Sequence, residues 1–386
     1  MKRKLLCLLI CITVIISLAA CSKGEPEGGM PETQQAAKET IKVEEYWQSN
    51  GEGTPEQPEK DTETEAVEIE TEETTDPRYG TVKLSVAGDC LLASYKGIVG
   101  DGNFAAKALE HDWGYFFDGV DEIFKADDFT IVNLECVLCD NPNVYPTDKG
   151  GGVAYWYIGP TENTNILTTA SVEVCSVANN HSYDYGQTGF DDTKQAVLDA
   201  GMEYGYEDHT AYLEKDGFTI ALICHGLWYE GQETSIIYRI HEAEQYSDFQ
   251  VVYYHGGTER VNQPEEWRKR SSRKLVEAGA DLVIGAHPHV IQPMEEYNGV
   301  LIVYYMGYFV FGYEGHPQNR TIVLTSEITL DRQTHETVSV DNEIIPCYIY
   351  TGDRNEWQPT IIDKTENEAD WQHVMDFMNW KVDKPL

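Results

Sequence analysis

Ala280-Asp281-Leu282-Val283-Ile284-Gly285-Ala286-His287-Pro288-His289 is the stretch around which the chain is organised. Leu282 to Ile284 is a short apolar, partly β-branched run, the pattern of a strand buried in a parallel sheet. Gly285 permits a sharp turn. His287 and His289 follow two residues apart, and in an extended segment such residues point to the same side. The spacing predicts two imidazoles facing one point beyond the strand's carboxyl end, where open α/β sheets place their ligands. Pro288 fixes φ between them. Two imidazoles held this way begin a site for zinc, manganese or iron. The competing reading is a pair of polar loop histidines.

The 386 residues have room for one large domain or two ordinary ones. A formal charge of −38 excludes a nucleic-acid partner, because phosphate binding needs a basic face. An anionic substrate would need a local positive centre, which a metal supplies. Met1-Lys2-Arg3-Lys4, an apolar run from Leu5 to Leu18, and Leu18-Ala19-Ala20-Cys21 form a secretory signal. The cysteine after Leu-Ala-Ala resembles a bacterial lipobox. It implies lipid on Cys21 and a chain held on the extracytoplasmic face of the cell membrane. No later stretch reaches about 18 apolar residues. Residues 22–79 are rich in Glu, Thr, Pro, Gln and Gly, and read as a disordered acidic tether. Cys90, Cys136, Cys139, Cys175, Cys224 and Cys347 are even in number, which permits disulfides, but several sit in apolar runs and read as core.

Past the tether, apolar runs end repeatedly in polar residues. Thr81 to Gly88 leads into Asp89, and Phe129 to Leu134 leads into Glu135. Ser171 to Ala178 is a third strand, ending in Asn179-Asn180-His181-Ser182-Tyr183-Asp184-Tyr185-Gly186. An amide oxygen there can ligate a metal, an imidazole can handle a proton, and Asp184 can orient that imidazole. Phe218 to His225 is a fourth strand behind a hairpin turn at Lys215-Asp216-Gly217, with His225 read as a strand-end residue rather than a ligand. Phe249 to Tyr254 is a fifth, ending in His255-Gly256-Gly257-Thr258-Glu259. Helices are expected over residues 119–125, 189–200, 265–278 (Trp267, Leu275 and Val276 inward, basic residues outward) and 366–380. The loop 141–153 is a rim candidate, and Tyr155-Trp156-Tyr157 reads as core. Residues 321–330 and 343–350 complete a second, antiparallel set. Five strands ending in metal-compatible residues exceed what turn chemistry requires, and the set suits a two-metal hydrolytic centre.

The ordered motifs Gly88-Asp89, Asn133-Leu134-Glu135, Asn179-Asn180-His181 with Asp184, His255 with Gly257 and Glu259, and His287-Pro288-His289 with Gln292 resemble the CapA family. This family of capsule-synthesis, poly-γ-glutamate-associated proteins belongs to the calcineurin-like metallophosphoesterases. The resemblance runs from about Lys83 to Gly312 and includes Tyr304-Tyr305-Met306-Gly307. It implies an α/β fold, a four-layer α/β/β/α sandwich, over residues 80–330, with 331–386 adding a strand and helix. It implies Asp89, Glu135, Asn180, His255, His287 and His289 as ligands of divalent metal, two ions of Mn, Fe or Zn. His181 would be the general acid oriented by Asp184, with Asn179 and Glu259 at the substrate. Gly256, Ala286 and Tyr308 differ from the family's usual residues. The implied substrate is an anionic capsule or envelope polymer, or a phosphoester, with a membrane-bound synthase as a further partner. Two alternatives stay open: a non-catalytic module that binds polymer or assists its export, and an extracellular phosphatase unrelated to capsule.

Overall fold

The computed structural model describes residues 76–95, 103–151, 154–312 and 319–385. The signal sequence, Cys21 and nearly all of the acidic tether lie outside the described residues. The first half of the domain supplies β1 (Tyr79–Cys90), β2 (Ser94–Tyr95), α1 (Phe104–Glu110), α2 (Asp121–Phe124), β3 (Phe129–Leu134), β4 (Val137–Leu138), β5 (Tyr157–Gly159), α3 (Thr164–Thr169), β6 (Val174–Ser176), α4 (Gly186–Asp199) and β7 (Glu203–Gly205). The second half supplies β8 (Ala211–Lys215), β9 (Phe218–Gly226), α5 (Glu233–Ala243), β10 (Phe249–His255), α6 (Glu266–Glu277), β11 (Leu282–Ala286), β12 (Gln292–Tyr297), β13 (Val300–Tyr305), β14 (Thr321–Asp331), β15 (Thr337–Tyr348), β16 (Thr360–Ile361) and α7 (Glu368–Met378).

One sheet runs β16-β15-β14-β1-β3-β6-β7, the other β12-β13-β11-β10-β9-β8, and β2-β5-β4 form a small third sheet. β1, β3, β6 and β7 are mutually parallel, as are β9, β10, β11 and β13. Alternation decides the layers. On β10, Val252 and Tyr254 pack with Ile236 and Ile240 of α5 and Leu275 of α6. Tyr253, between them, faces the other way and donates its hydroxyl to Ala87 O of the first sheet at 3.1 Å. On the first sheet, Val132, Leu134 and Cys175 pack with Phe104, Ile166, Leu167, Phe190 and Val197 from α1, α3 and α4. Two sheets face each other with helices outside both, which is the four-layer sandwich.

Hairpins and helix ends follow local chemistry. Asp216-Gly217 and Asn298-Gly299 both take positive φ (53° and 89°; 53° and 81°), as two-residue hairpin turns require. Gly201, at φ 82°, follows the α4 cap, where a side chain would be strained. α7 follows β16, and Trp380 just beyond it donates to Met294 O at 2.6 Å. The chain after residue 331 thus packs on both sheets.

Several expectations need correction. The helix over 119–125 contracts to α2, because Val120 does not take helical dihedrals. The strand over 171–178 shortens to β6, since Ser171 sits at φ 58° in the turn after α3. α4 begins at Gly186, not Gly189. α6 buries Arg268, Ser271, Ser272, Leu275 and Val276, an i, i+3, i+4, i+7, i+8 face that includes a basic residue. Arg268 tolerates complete burial because its guanidinium donates to Tyr304 O (2.7 Å) and Gln292 Oε1 (2.6 Å). Tyr155-Trp156-Tyr157 is not core: Tyr155 is exposed, and Trp156 and Tyr157 are half-buried. The described cysteines are free thiols, all buried.

Candidate metal centre

The site lies where the carboxyl ends of β1, β3, β10 and β11 meet, and each arm is set by local backbone. β1 carries a register shift between Val86 and Asp89 against β3, a bulge that re-aims the strand end. A side chain at Gly88 would stand 2.0 Å from Gly307 O, so only glycine admits that approach. Asp89 is pinned there by Asp89 N donating to Gly307 O (3.2 Å) and Phe309 N donating to Asp89 O (2.8 Å).

The two histidines of the opening stretch converge by a different route from the one the spacing suggests. β11 ends at Ala286, and His287 and His289 lie in positive-φ conformations, at 99° and 62°. They are not an extended i, i+2 pair. Such backbone costs roughly 1–3 kcal/mol per residue and persists where the surroundings over-determine it, a recurrent property of functional sites.

Asn133, on β3, is the hub beneath the centre. Its amide donates to Asp89 Oδ1 (2.8 Å), and its nitrogen lies 3.4 Å from Glu135 Oε2 and 3.2 Å from His255 Nδ1. Tyr305 on β13 donates its hydroxyl to Asp89 Oδ2. His255 Nε2 faces Asn180 Oδ1 at 2.8 Å and Glu135 Oε1 at 3.7 Å. His289 Nδ1 is 3.6 Å from Asp89 Oδ2, and His287 Nε2 is 4.0 Å from Glu259 Oε1. The structure therefore brings together Asp89, Glu135, Asn180, His255, His287, His289 and Glu259.

Beside them His181 presents Nε2 at 3.9 Å from Glu135 Oε1, while its Nδ1 is held by Asp184 Oδ2 at 2.8 Å. Asp184 is fully buried. It also accepts from Tyr157 N (2.7 Å) and pairs with Lys149 Nζ (2.5 Å). Asn179 spends its amide internally, donating to Leu134 O (2.9 Å) and accepting from His181 N (3.0 Å), so it braces the turn that carries His181.

The electrostatics fit a cation. Asp89 and Glu135 are completely buried side by side, and Glu135 Oε1 has no hydrogen-bond partner. Burial, then the Asp89 charge, holds the Glu135 carboxyl well above its usual range. Like-charged carboxylates in a dry site are costly without a positive counterpart. Burial pushes His255 well below the usual imidazole range and His287 down to about 3, so both are neutral electron-pair donors at physiological pH. Nδ1 of His287 and of His289 is also unpartnered. Three overlapping groups have ligand atoms within 4.8 Å of one another: Glu135-His255-His287, Asp89-Glu135-His289 and Glu259-His287-His289. Carboxylate, amide and imidazole donors in this arrangement suit a divalent metal.

A family model described as bacterial capsule synthesis protein PGA_cap matches residues 83–313. The chain belongs to that family. It is 31% identical over 246 residues to the PGA biosynthesis protein CapA of Bacillus subtilis, covering 58% of this chain and 64% of that protein. It is 28% identical over 224 residues to the capsule biosynthesis protein CapA of Bacillus anthracis, covering 51% and 54%. The chain thus spans less than two thirds of the length of these relatives. Among solved structures, a phosphatase from Mycoplasma pneumoniae aligns with a TM-score of 0.40 at 13% identity, over 69% of this chain and 94% of that one.

Gly256 and Tyr308, two of the positions singled out in the sequence, are shaped by their surroundings. A Cβ at Gly256 would lie 1.8 Å from Leu227 O, so no side chain fits there. Trp228, just beyond the end of β9, sets its ring against His255 (5.6 Å) and His287 (5.1 Å). Tyr308 stacks on His289 at 4.5 Å. Sequence reading passed over Asn133 as a site residue, although a polar residue inside an apolar strand was a usable signal. Lys149 lies in the rim loop 141–153 and Tyr305 in the Tyr304-Tyr305-Met306-Gly307 stretch, but neither residue is singled out by its own local pattern.

Proposed function

We propose that the protein is a metal-dependent hydrolase or transferase acting on an anionic capsule or envelope polymer, with poly-γ-glutamate as the substrate its family suggests. Lipid on Cys21 would hold it at the extracytoplasmic face of the cell membrane. The observation that carries the reading is the pair of buried carboxylates, Asp89 and Glu135, sharing overlapping ligand groups with His255, His287 and His289.

A bound divalent ion supplies Lewis acidity and the local positive charge that a chain of net charge −38 needs to accept an anion. Asn180 and His255, 2.8 Å apart, would complete the donor set. His181 is the proton donor of the scheme. Asp184 fixes its tautomer through Nδ1, leaving Nε2 to face the Glu135 side of the cleft. Burial lowers the His181 pKa and the Asp184 bond works against that. Donation from Nε2 requires the doubly protonated ring, the form whose Nδ1–H Asp184 stabilises. Tyr157, 4.8 Å from the His181 ring, and Trp228 would wall the substrate.

The test is elemental analysis of the chain purified with manganese or zinc, beside hydrolysis of bis(p-nitrophenyl) phosphate and of poly-γ-glutamate. His181→Ala is expected to keep the metal and lose about 10²–10⁴-fold in turnover. Metal-free protein after supplementation, or unchanged turnover in folded His181→Ala, overturns the reading.

A further inference from the structure

We propose that Glu259 is itself a metal ligand, closing the mouth of the centre together with His287 and His289. This rests on the reading that the cluster holds divalent metal, and assigns Glu259 to the ion rather than to substrate.

The first support is placement. Glu259, His287 and His289 offer ligand atoms within 4.8 Å of one another, and Glu259 Oε1 lies 4.0 Å from His287 Nε2. Two donors on one ion at bond lengths of about 2.1 Å stand roughly 3–4 Å apart, so a small side-chain adjustment suffices. The Glu259 side chain is about half exposed (53%), whereas Asp89 and Glu135 are fully buried. It therefore covers the solvent side of the two histidines, opposite the deep carboxylates.

The second support is that the segment bearing Glu259 is tied to the turn bearing the histidines. Gly256 N donates to Ala286 O (3.0 Å), Arg260 N donates to Pro288 O (2.7 Å), and Gln292 Nε2 donates to Val261 O (2.6 Å). Gly257 sits at φ 109°, and a Cβ there would stand 2.0 Å from a guanidinium nitrogen of buried Arg268. Arg268 holds Gln292 in turn. The backbone either side of Glu259 is thus fastened to His287-Pro288-His289, which keeps the carboxylate over the imidazoles instead of leaving it on a free loop.

The third support is chemical. His287 Nδ1 and His289 Nδ1 make no hydrogen bond, and two imidazoles alone make a weak site. An anionic third donor gives the three-ligand, one-face-open arrangement of a reactive centre.

Metal-stripped full-length protein, its Glu259→Gln variant and its Glu135→Gln variant would be titrated with Zn2+ and Mn2+ by calorimetry, and loaded with Co2+ for visible absorption. Glu259→Gln is expected to lose one equivalent, or to weaken the weaker step at least tenfold. It should also change the Co2+ band intensities, which a through-space charge effect would leave alone. Apo melting should match wild type, because the side chain is at the surface. Glu259→Gln with wild-type stoichiometry, affinities within twofold and an unchanged Co2+ spectrum overturns this assignment alone. Wild-type protein that takes up no ion overturns this assignment and the proposed function together.

Discussion

Lys149 Nζ lies 2.5 Å from Asp184 Oδ1, while Asp184 Oδ2 holds His181 Nδ1 at 2.8 Å. A lysine from the loop before β5 thus neutralises a completely buried carboxylate whose second oxygen orients the candidate general acid. Lys149 also donates to Tyr155 O (2.8 Å), so the cation anchors the aromatic rim. Lys149→Met leaves the completely buried Asp184 carboxylate without its partly exposed cation, which lowers stability. A lower urea midpoint is expected for Lys149→Met, with most of the loss recovered in Lys149→Arg. Equal midpoints for wild type and Lys149→Met would refute the coupling.

Gly256→Ala forces a Cβ to within 1.8 Å of Leu227 O, a backbone atom that cannot swing aside. Overpacking of this kind costs about 1–3 kcal/mol. Gly352→Ala is the control, since its nearest neighbour would be 3.8 Å away. Thermal melts should show Tm lowered by several degrees for the first and unchanged for the second. A Gly256→Ala variant as stable as wild type would mean that the two strand ends are farther apart than described.

At the amino ends of β3 and β6, away from the site, Asp127 and Glu173 are pushed up to about 6 and about 7, chiefly by burial. Their unfolded values are about 3.9 and 4.3. Between those limits the folded state holds the extra protons, so these two groups make stability fall as pH rises from about 4 to 7. Glu173→Gln retains an acceptor for Thr130 N, which Glu173 Oε2 now binds at 2.7 Å. Its stability relative to wild type should therefore be greater at pH 8 than at pH 4. Denaturant melts across that range check this, and a flat difference counts against it.

Metal should stabilise the fold as well as serve chemistry. An ion at a hundred times its Kd adds about 2.7 kcal/mol when it binds only the folded state. Dialysis against chelator is expected to lower Tm, and Mn2+ or Zn2+ to restore it. In His255→Ala, which removes the fully buried donor common to Asn180 and Glu135, the metal-dependent gain should vanish. The same gain in wild type and His255→Ala would place the ion elsewhere.

The sequence by itself determined the long central strands, the Asp216-Gly217 hairpin turn and the polar residues at those strands' ends. These depend on residues near in sequence: alternation on the pleat, Gly and Asn at positive φ, a carboxylate after an apolar run. It also carried the family, because Asp89, Glu135, Asn180, His255, His287 and His289 occur in order at the ends of those strands. Only the tertiary structure decided how they meet. His287 and His289 converge through strained backbone rather than strand alternation. Tyr305 reaches Asp89 across 216 residues, and Trp228 sets its ring against His255 on another strand. Arg268, which reads from sequence as a solvent-facing helix residue, is buried as the clamp behind the Glu259 segment. Each of these depends on which atoms from distant segments fill the same space, and neither hydrophobic periodicity nor residue spacing records that.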